Sequence, residues 1–290
     1  MAPGGKSQIG VITEWVGVRA LPPTQEQRAA ARRAPRWPPA RLAAVESLWG
    51  AGYLYPGGPA ETLHLAKPLN LGPTATLLLL GDSIGGPAEA ITTAFGASVE
   101  SFVADPKLAI IAEQRRAQRL DARRVRVARW NRECPAFRYD CAHHALAIEA
   151  LRGAPAEPLL DSLAASLRPH GQIVLTELVA EAPAPAGDQE FTAWCQLDGR
   201  LPNMPQVQTV TTALTNRHFD VRAIEDLSDR HVSATLAGWH GAVKSMASGP
   251  KLPAASAGIF VTEAELWLLR IRLMRRFGFR LLRWYAVGSA

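Results

Sequence analysis

The stretch TLLLLGDSIGGP, residues 76–87, decides how the rest of the chain is read. Thr76 to Leu80 is an apolar run without charge, the pattern of a strand buried on both faces of a parallel sheet. Gly81, Gly85 and Gly86 follow at once, and Pro87 opens a helical segment, PAEAITTAF. Proline suits a first helical turn because its missing N–H would have had no partner there. Strand, glycine turn and helix in that order let a backbone approach a bound nucleotide closely. A plain tight turn is the competing reading, and the flanking sequence has to choose.

Downstream, the pattern repeats. Val99 to Ala104 reads as a second strand, with Asp105 and Pro106 as the N-cap and first turn of a helix reaching Leu120. A third strand is expected at Val125 to Ala128, a fourth at Tyr139 to His143, a helix at Glu157 to Leu167 and a fifth strand at Gln172 to Glu177. Residues 181 to 205 hold four prolines and read as a long excursion over the carboxyl edge of the sheet. A helix at Val207 to Asn216, a sixth strand at Phe219 to Ala223 and helices at Arg230 to Ala247 and Thr262 to Phe277 precede a last strand, Phe279 to Val287. The alternation implies an α/β fold, a Rossmann-like seven-stranded and mostly parallel sheet with an antiparallel last strand and helices on both faces.

Upstream, residues 1–38 form a Pro- and Arg-rich arm and residues 39–290 the folded domain. Pro22, Pro23, Pro35, Pro38 and Pro39 interrupt the arm, and Arg28, Arg32, Arg33 and Arg36 make it basic. It reads as an extension, with peripheral contact to an acidic surface as the functional alternative. Leu42, Val45, Leu48 and Trp49 have the spacing of an amphipathic helix. The glycine- and tyrosine-rich turn WGAGYLYPGGPAE, residues 49–61, then leads into a short helix ending near Pro68.

Of 290 residues, 48% are hydrophobic and 20% charged, enough for a sizeable core. The net charge of +6 is carried mainly by scattered arginines, which favours a solvated basic surface over nucleic-acid binding. Cys134, Cys141 and Cys195 show no metal or CxxC spacing, so no metal site is expected, and they fit a reducing compartment. No apolar run is long enough for a membrane span, and no signal-peptide core opens the chain, so a cytoplasmic protein is expected.

Three blocks in this order resemble the class I S-adenosylmethionine-dependent methyltransferases, above all the phosphoethanolamine N-methyltransferase group and its bacterial relatives. They are LWGAGYLYPGGPAE before the first strand, LLLLGDSIGGPAEAI at the glycine turn, and LRPHGQIVLTE at residues 167–177. The tail FDVRAIEDLSDRHVSATLAGWH is also similar, so the resemblance spans about residues 46 to 287. It implies methyl transfer from S-adenosylmethionine to a small acceptor, an amine in that group. It also implies cofactor contacts at Gly81, Ser83, Gly85 and Gly86.

The chain departs from the family's pattern at several positions. Leu79 stands where the first strand has an acid, and Ser83 where the middle glycine is expected. Val103 replaces the acid that would hold the cofactor's ribose, leaving Asp105, two residues on and on the same side of an extended chain, as its substitute. Helix capping explains Asp105 equally well. Asn131 stands near the acid that faces the adenine amine, with Trp130 beside it as a stacking partner. Ala150 takes the place of the histidine after the fourth strand. A methyltransferase relative that kept the scaffold as a binding protein is therefore the alternative function.

Four residues are read as catalytic candidates: Tyr53, Tyr55, His143 and His144. The tyrosines would close over the donor or orient an acceptor, or else pack the first helix on the sheet. The histidines are expected at the carboxyl end of the fourth strand, where one of the two can face a ligand. Glu177, at the same edge, would hold a cationic acceptor or stand solvated. The segment LWLLRIRLMRRFGFRLLRW suggests a membrane surface by its alternation of arginine and leucine. Gly278 divides it into a helix and a strand, and core packing with snorkelling arginines is preferred. LLLLGDSI also resembles the first block of GDSL-type serine hydrolases, with Ser83 as nucleophile and Asp140 and His143 as partners. That reading leaves the other two blocks unexplained.

Overall fold

The computed structural model describes residues 36–119, 122–185, 187–249 and 254–289. Most of the expected N-terminal arm, with Arg28, Arg32 and Arg33, lies outside them. Two helices, α1 (Pro39–Trp49) and α2 (Gly58–Ala66), come first. The sheet unit follows: β1 (Thr76–Leu80), α3 (Gly86–Phe95), β2 (Ser98–Val103), α4 (Pro106–Ala117), β3 (Val125–Arg129), β4 (Ala142–Ile148), α5 (Ala156–Ser166) and β5 (Leu167–Val179). The chain ends with α6 (Gln189–Asp198), α7 (Val207–Thr215), β6 (Phe219–Asp226), α8 (Ser228–Ser248), α9 (Ala254–Phe277) and β7 (Arg280–Gly288).

The strand order is β3-β2-β1-β4-β5-β7-β6. All pairings among β1 to β5 are parallel, and β7 is antiparallel to both β5 and β6. The sheet is thus mostly parallel with an antiparallel last strand, as expected from the alternation. Leu77, Leu78 and Leu80 are fully buried, and their odd and even members feed two different cores, which is why β1 carries no polar residue beyond its first, Thr76. The long α9 and the strand β7 meet at Gly278, whose φ of 66° is a conformation that favours glycine. Among the described residues no helix is long and apolar enough to cross a membrane.

One helix was not placed from the sequence, and one strand boundary needs correction. The excursion at residues 181–205 contains α6. Asp188 caps that helix through Phe191 N–H, and Phe191, Trp194 and Cys195 carry it into the core. The fourth strand begins at Ala142 rather than Tyr139 and runs on to Ile148. Small residues hid it: Ala145, Leu146 and Ala147 are fully buried, but alanine carries little hydrophobic signal and two histidines precede it.

That shift moves the histidines to the other end of the sheet. His144 is level with Leu77 at the start of β1, and His143 Nδ1 accepts the Thr76 N–H at 3.0 Å. Gly81 lies four residues further along β1, about 13 Å away at strand rise. His143 and His144 are therefore not at the carboxyl end, where the sequence reading put them. The hydrolase arrangement fails for the same reason, since Ser83 is buried at one edge and His143 pairs at the opposite one.

Candidate functional site

The carboxyl edge is built first from the glycine turn. The tyrosine loop before α2 folds onto it: Gly52 accepts hydrogen bonds from the N–H groups of both Ile84 and Gly86, each at 3.2 Å. Tyr53 is buried, and its hydroxyl donates to the Gly86 carbonyl at 2.9 Å. Burial pushes that phenol up to about 12, so it stays a donor at any ordinary pH. Tyr55 bonds the Thr62 hydroxyl at 2.5 Å, and burial raises its phenol further still. Tyr53 thus fastens the turn, whereas Tyr55 lines a cavity beyond it.

Asp82, in the turn itself, is surrounded by cations. Arg132 Nη2 lies 3.0 Å from its Oδ1, and Arg152 and Arg36 lie 3.3 and 3.6 Å from its Oδ2. Burial alone would raise this carboxyl, but the guanidiniums of Arg152, Arg132 and Arg36 outweigh it and hold the group below its ordinary value. Arg152 also reaches Asp198 Oδ2 at 2.9 Å, and Arg200 Nε shares that oxygen at 2.8 Å.

The network continues from the ends of β4 and β5. Arg270 of α9 grips Glu149 with two hydrogen bonds, of 2.9 and 2.7 Å, and Arg200 adds a third at 3.1 Å. Glu149 is held down to about 2, its burial being overcome by Arg270 and Arg200. Glu177 is fully buried and accepts the Leu151 N–H at 3.0 Å, so it is not the solvated strand-end carboxylate of the sequence reading. Its nearest guanidinium, Arg200 at 3.8 Å, is shared with Asp198 and Glu149, so burial wins and pushes Glu177 up to about 7.

Glu149 and Arg152 both hold left-handed backbone, at φ 44° and 46°. Non-glycine residues there cost about 1–3 kcal/mol each and cluster at sites where the surroundings impose them. These residues, with Arg41, Asp198, Glu263, Trp37, Trp267 and Arg270, line a cavity of about 40 Å³. Arg41 pairs with Glu263, and its guanidinium lies 4.6 Å above the Trp37 ring. Trp37, inside the expected arm, is buried here. A second cavity, of about 60 Å³, lies between Gly52, Gly85, Arg115 and the sheet residues Ser101 and Val127. Among the described residues no cluster of His, Cys, Asp or Glu is placed to hold a metal ion.

No family model matches the chain, and no curated protein matches it. Solved structures do. Phosphoethanolamine N-methyltransferase 2 of Haemonchus contortus, with phosphomonomethylethanolamine and S-adenosylhomocysteine bound, superposes at TM-score 0.72 over 86% of this chain, at 15% identity. The fold is that of the class I S-adenosylmethionine-dependent methyltransferases. The chain covers 56% of that worm protein's length, about half. A sarcosine dimethylglycine methyltransferase from Galdieria sulphuraria, so named provisionally, matches at TM-score 0.67 and 14% identity, covering 86% of this chain and 98% of its own. The [4+2]-cyclase SpnF matches at TM-score 0.63 and 15% identity, over 92% and 97% of the two chains.

Against the methyltransferase fold, the expected cofactor residues divide. Gly81 sits at the carboxyl end of β1, and a side chain there would lie 3.0 Å from the Ile148 carbonyl. Gly85 is left-handed at φ 105°, yet a Cβ would meet nothing closer than 3.9 Å, so the turn leaves room on that side. Asp82 Oδ2 takes no hydrogen bond but faces the guanidiniums of Arg152 and Arg36, so its charge is already committed. The room beside Gly85 fits close approach of the amino-acid end of S-adenosylmethionine. The ribose end is different: Val103 is fully buried and uncharged. Asp105 Oδ1 caps α4, taking the Lys107 and Leu108 N–H groups at 2.8 and 3.1 Å. Asn131 is exposed, and its Oδ1 takes the Glu133 N–H at 2.9 Å. Trp130 is buried against Phe137, whose ring stacks edge-on to Phe102.

Arg152, Arg200, Arg270, Glu149 and Asp198 were not singled out from the sequence. One signal was present for part of the set. Glu263, Leu266, Trp267, Arg270, Leu273 and Met274 form one helical stripe, and all six are buried. A charge inside an apolar stripe is buried and paired rather than snorkelling, and Arg270 corrects the expectation for this segment in that respect.

Proposed function

We propose that the protein transfers a methyl group from S-adenosylmethionine to a small acceptor seated in the charged cavity at the carboxyl edge. The observation that carries the reading is the glycine turn at the end of β1, beside a buried cavity lined by ionised groups and aromatic rings. Ligands of open α/β sheets bind at this edge, and the solved methyltransferases of similar fold support the same activity here. When bound, S-adenosylmethionine supplies an electrophilic methyl group for in-line displacement.

The chain's own residues do the rest. The open side of Gly85 receives the amino-acid end, and Asp82 anchors the turn to Arg36, Arg132 and Arg152. Tyr55 orients the acceptor as a hydrogen-bonding phenol, since burial keeps it protonated. Glu149 stays ionised in its arginine grip and fixes the electrostatic field of the cavity. Positioning of this kind lowers a displacement barrier without an acid–base group.

Calorimetric titration of the full chain with S-adenosylmethionine tests the reading. Saturable binding weakened by Gly85→Val, with the variant's fold verified by circular dichroism, is expected. No heat at millimolar ligand would overturn it. The second reading, a binding protein on the same scaffold, is favoured by Val103 at the ribose position and by Asp105 serving as a cap. That outcome would leave it standing.

A further inference from the structure

The residues just ahead of α1, Arg36 to Pro38, lie across the carboxyl edge as a strap. Pro38 is extended, at φ −67° and ψ 153°, and Pro39 opens the helix, so the strap enters α1 with little freedom. Trp37 is buried, and Arg41 covers its ring while donating to the Arg36 carbonyl at 2.9 Å. Arg36 itself spans the edge. Its Nη2 donates to the Asp198 carbonyl at the end of α6, and its Nη1 stands 3.6 Å from Asp82 Oδ2 in the glycine turn. Its guanidinium lies against Gly199, where a side chain would stand 2.8 Å from Cζ. The space it helps to enclose is small. A water needs about 10–15 Å³ on this measure. The cavity of about 40 Å³ lined by Arg36 and Trp37 therefore holds a few waters and nothing the size of a nucleoside joined to an amino acid.

Three guanidiniums approach Asp82, and they are not held equally. Arg132 is hydrogen-bonded to it at 3.0 Å. Arg152 lies at 3.3 Å and is secured from behind by Asp198 Oδ2 at 2.9 Å. Arg36 is the most distant, its Nε is buried with no hydrogen-bond partner, and Asp82 Oδ2 takes no hydrogen bond from it. Burial first, and then the neighbouring Arg152, lower Arg36 to about 10 against the pull of Asp82 and Asp198. Of the three cations, Arg36 is the one whose departure costs least.

We propose that the strap is a displaceable gate: seated, Arg36 closes the edge between the glycine turn and the end of α6, and a ligand enters only when Arg36 leaves. The inference rests on the reading of this edge as the cofactor and acceptor site and adds a means of regulating it. The seated form dominates in the free protein, so ligand affinity is reduced by the fraction of molecules that are open.

The test uses the full chain, with calorimetric titration of S-adenosylmethionine and trypsin digestion followed by mass spectrometry. Trypsin cuts after arginine, so the Arg36–Trp37 bond reports the strap directly. That bond should resist cleavage in the free protein, and saturating S-adenosylmethionine should speed its cleavage about fivefold or more. Arg36→Ala, which unseats the strap, should bind S-adenosylmethionine about 5–150-fold tighter, the usual span of coupling between two states. Arg36→Lys keeps the charge but loses the fork that spans Asp82 and Asp198, so its affinity should fall between those of Arg36→Ala and the parent. Circular dichroism verifies both folds, and digestion of the parent protein decides alone should a variant fail to fold. Cleavage unchanged or slowed by the bound ligand, or equal or weaker binding in the Arg36 variants, would overturn the gate and make the strap a fixed wall or a lid that closes on the ligand. Methyl transfer would survive either result, since S-adenosylmethionine would still be bound. No heat with the parent and with both variants removes the methyl-transfer reading, and the gate with it.

Discussion

Arg270 and Glu149 are 121 residues apart in sequence and joined by two hydrogen bonds, Nη1 to Oε2 at 2.9 Å and Nη2 to Oε1 at 2.7 Å. The pair ties the long helix α9 to the end of β4. Planar guanidinium on carboxylate gives direction as well as charge. Removing one partner strands the other in a dry site, which typically costs about 3–5 kcal/mol. Arg270→Met should therefore destabilise the protein by that amount in urea unfolding, and Arg270→Met with Glu149→Leu should recover part of it. A single-variant loss under about 1 kcal/mol would show that the pair is solvated.

Gly52 couples the tyrosine loop to the glycine turn. Its φ is 88°, and a Cβ there would stand 2.5 Å from Gly86 N and 2.7 Å from Gly86 Cα. Both obstacles are backbone, so neither can swing aside. Gly52→Ala should lower stability by about 2 kcal/mol or more, from left-handed strain and displacement of the turn together. It should also weaken S-adenosylmethionine binding. A thermal melt superposable on the parent protein would contradict the observed contact.

The pH dependence separates two buried groups. His231 is held down to about 3, by burial first and then by Arg270. Its folded pKa lies below the unfolded value of 6.5, so the unfolded chain binds the extra proton and stability falls as pH drops from about 6.5 towards 3. Glu177, raised to about 7 from 4.5, works the other way: the folded chain binds the proton, and stability falls as pH rises from 4.5 through 7. Relative to the parent, His231→Gln should gain ground as pH is lowered from 6.5 to 4.5. Glu177→Gln should gain ground as pH is raised over 4.5 to 8. Melting temperatures at five pH values decide this, and parallel curves for all three proteins would rule it out.

His143 and His144 are placed at the amino end of β4, and the prediction for them is a negative one. Burial and the neighbouring imidazole depress His144 to about 4, and burial with Arg168 lowers His143. Neither imidazole reaches the glycine turn. His144→Ala should leave cofactor affinity and turnover within about twofold, where loss of a positioned acid–base group would cost about 10²–10⁴ in rate. A fall of that size would return the histidine to the chemistry.

What the sequence determined by itself was the frame. An apolar run, a glycine turn and a proline-opened helix specify β1 and α3 locally, because strand burial and helix entry depend on neighbours in the chain. The last two elements were legible for the same reason, Gly278 marking the break between α9 and β7. Even α6 had a local signature, Asp188 before and Gly199 after it, obscured by the prolines around it. The interior of the site was decided by tertiary structure alone. Whether Arg270 points to solvent or into the core depends on Glu149, and whether Asp82 is exposed or clamped depends on Arg36, Arg132 and Arg152. These partners come from distant segments and share no period with one another. Charge pairing acts over a few ångströms of space, so no regularity along the chain records it.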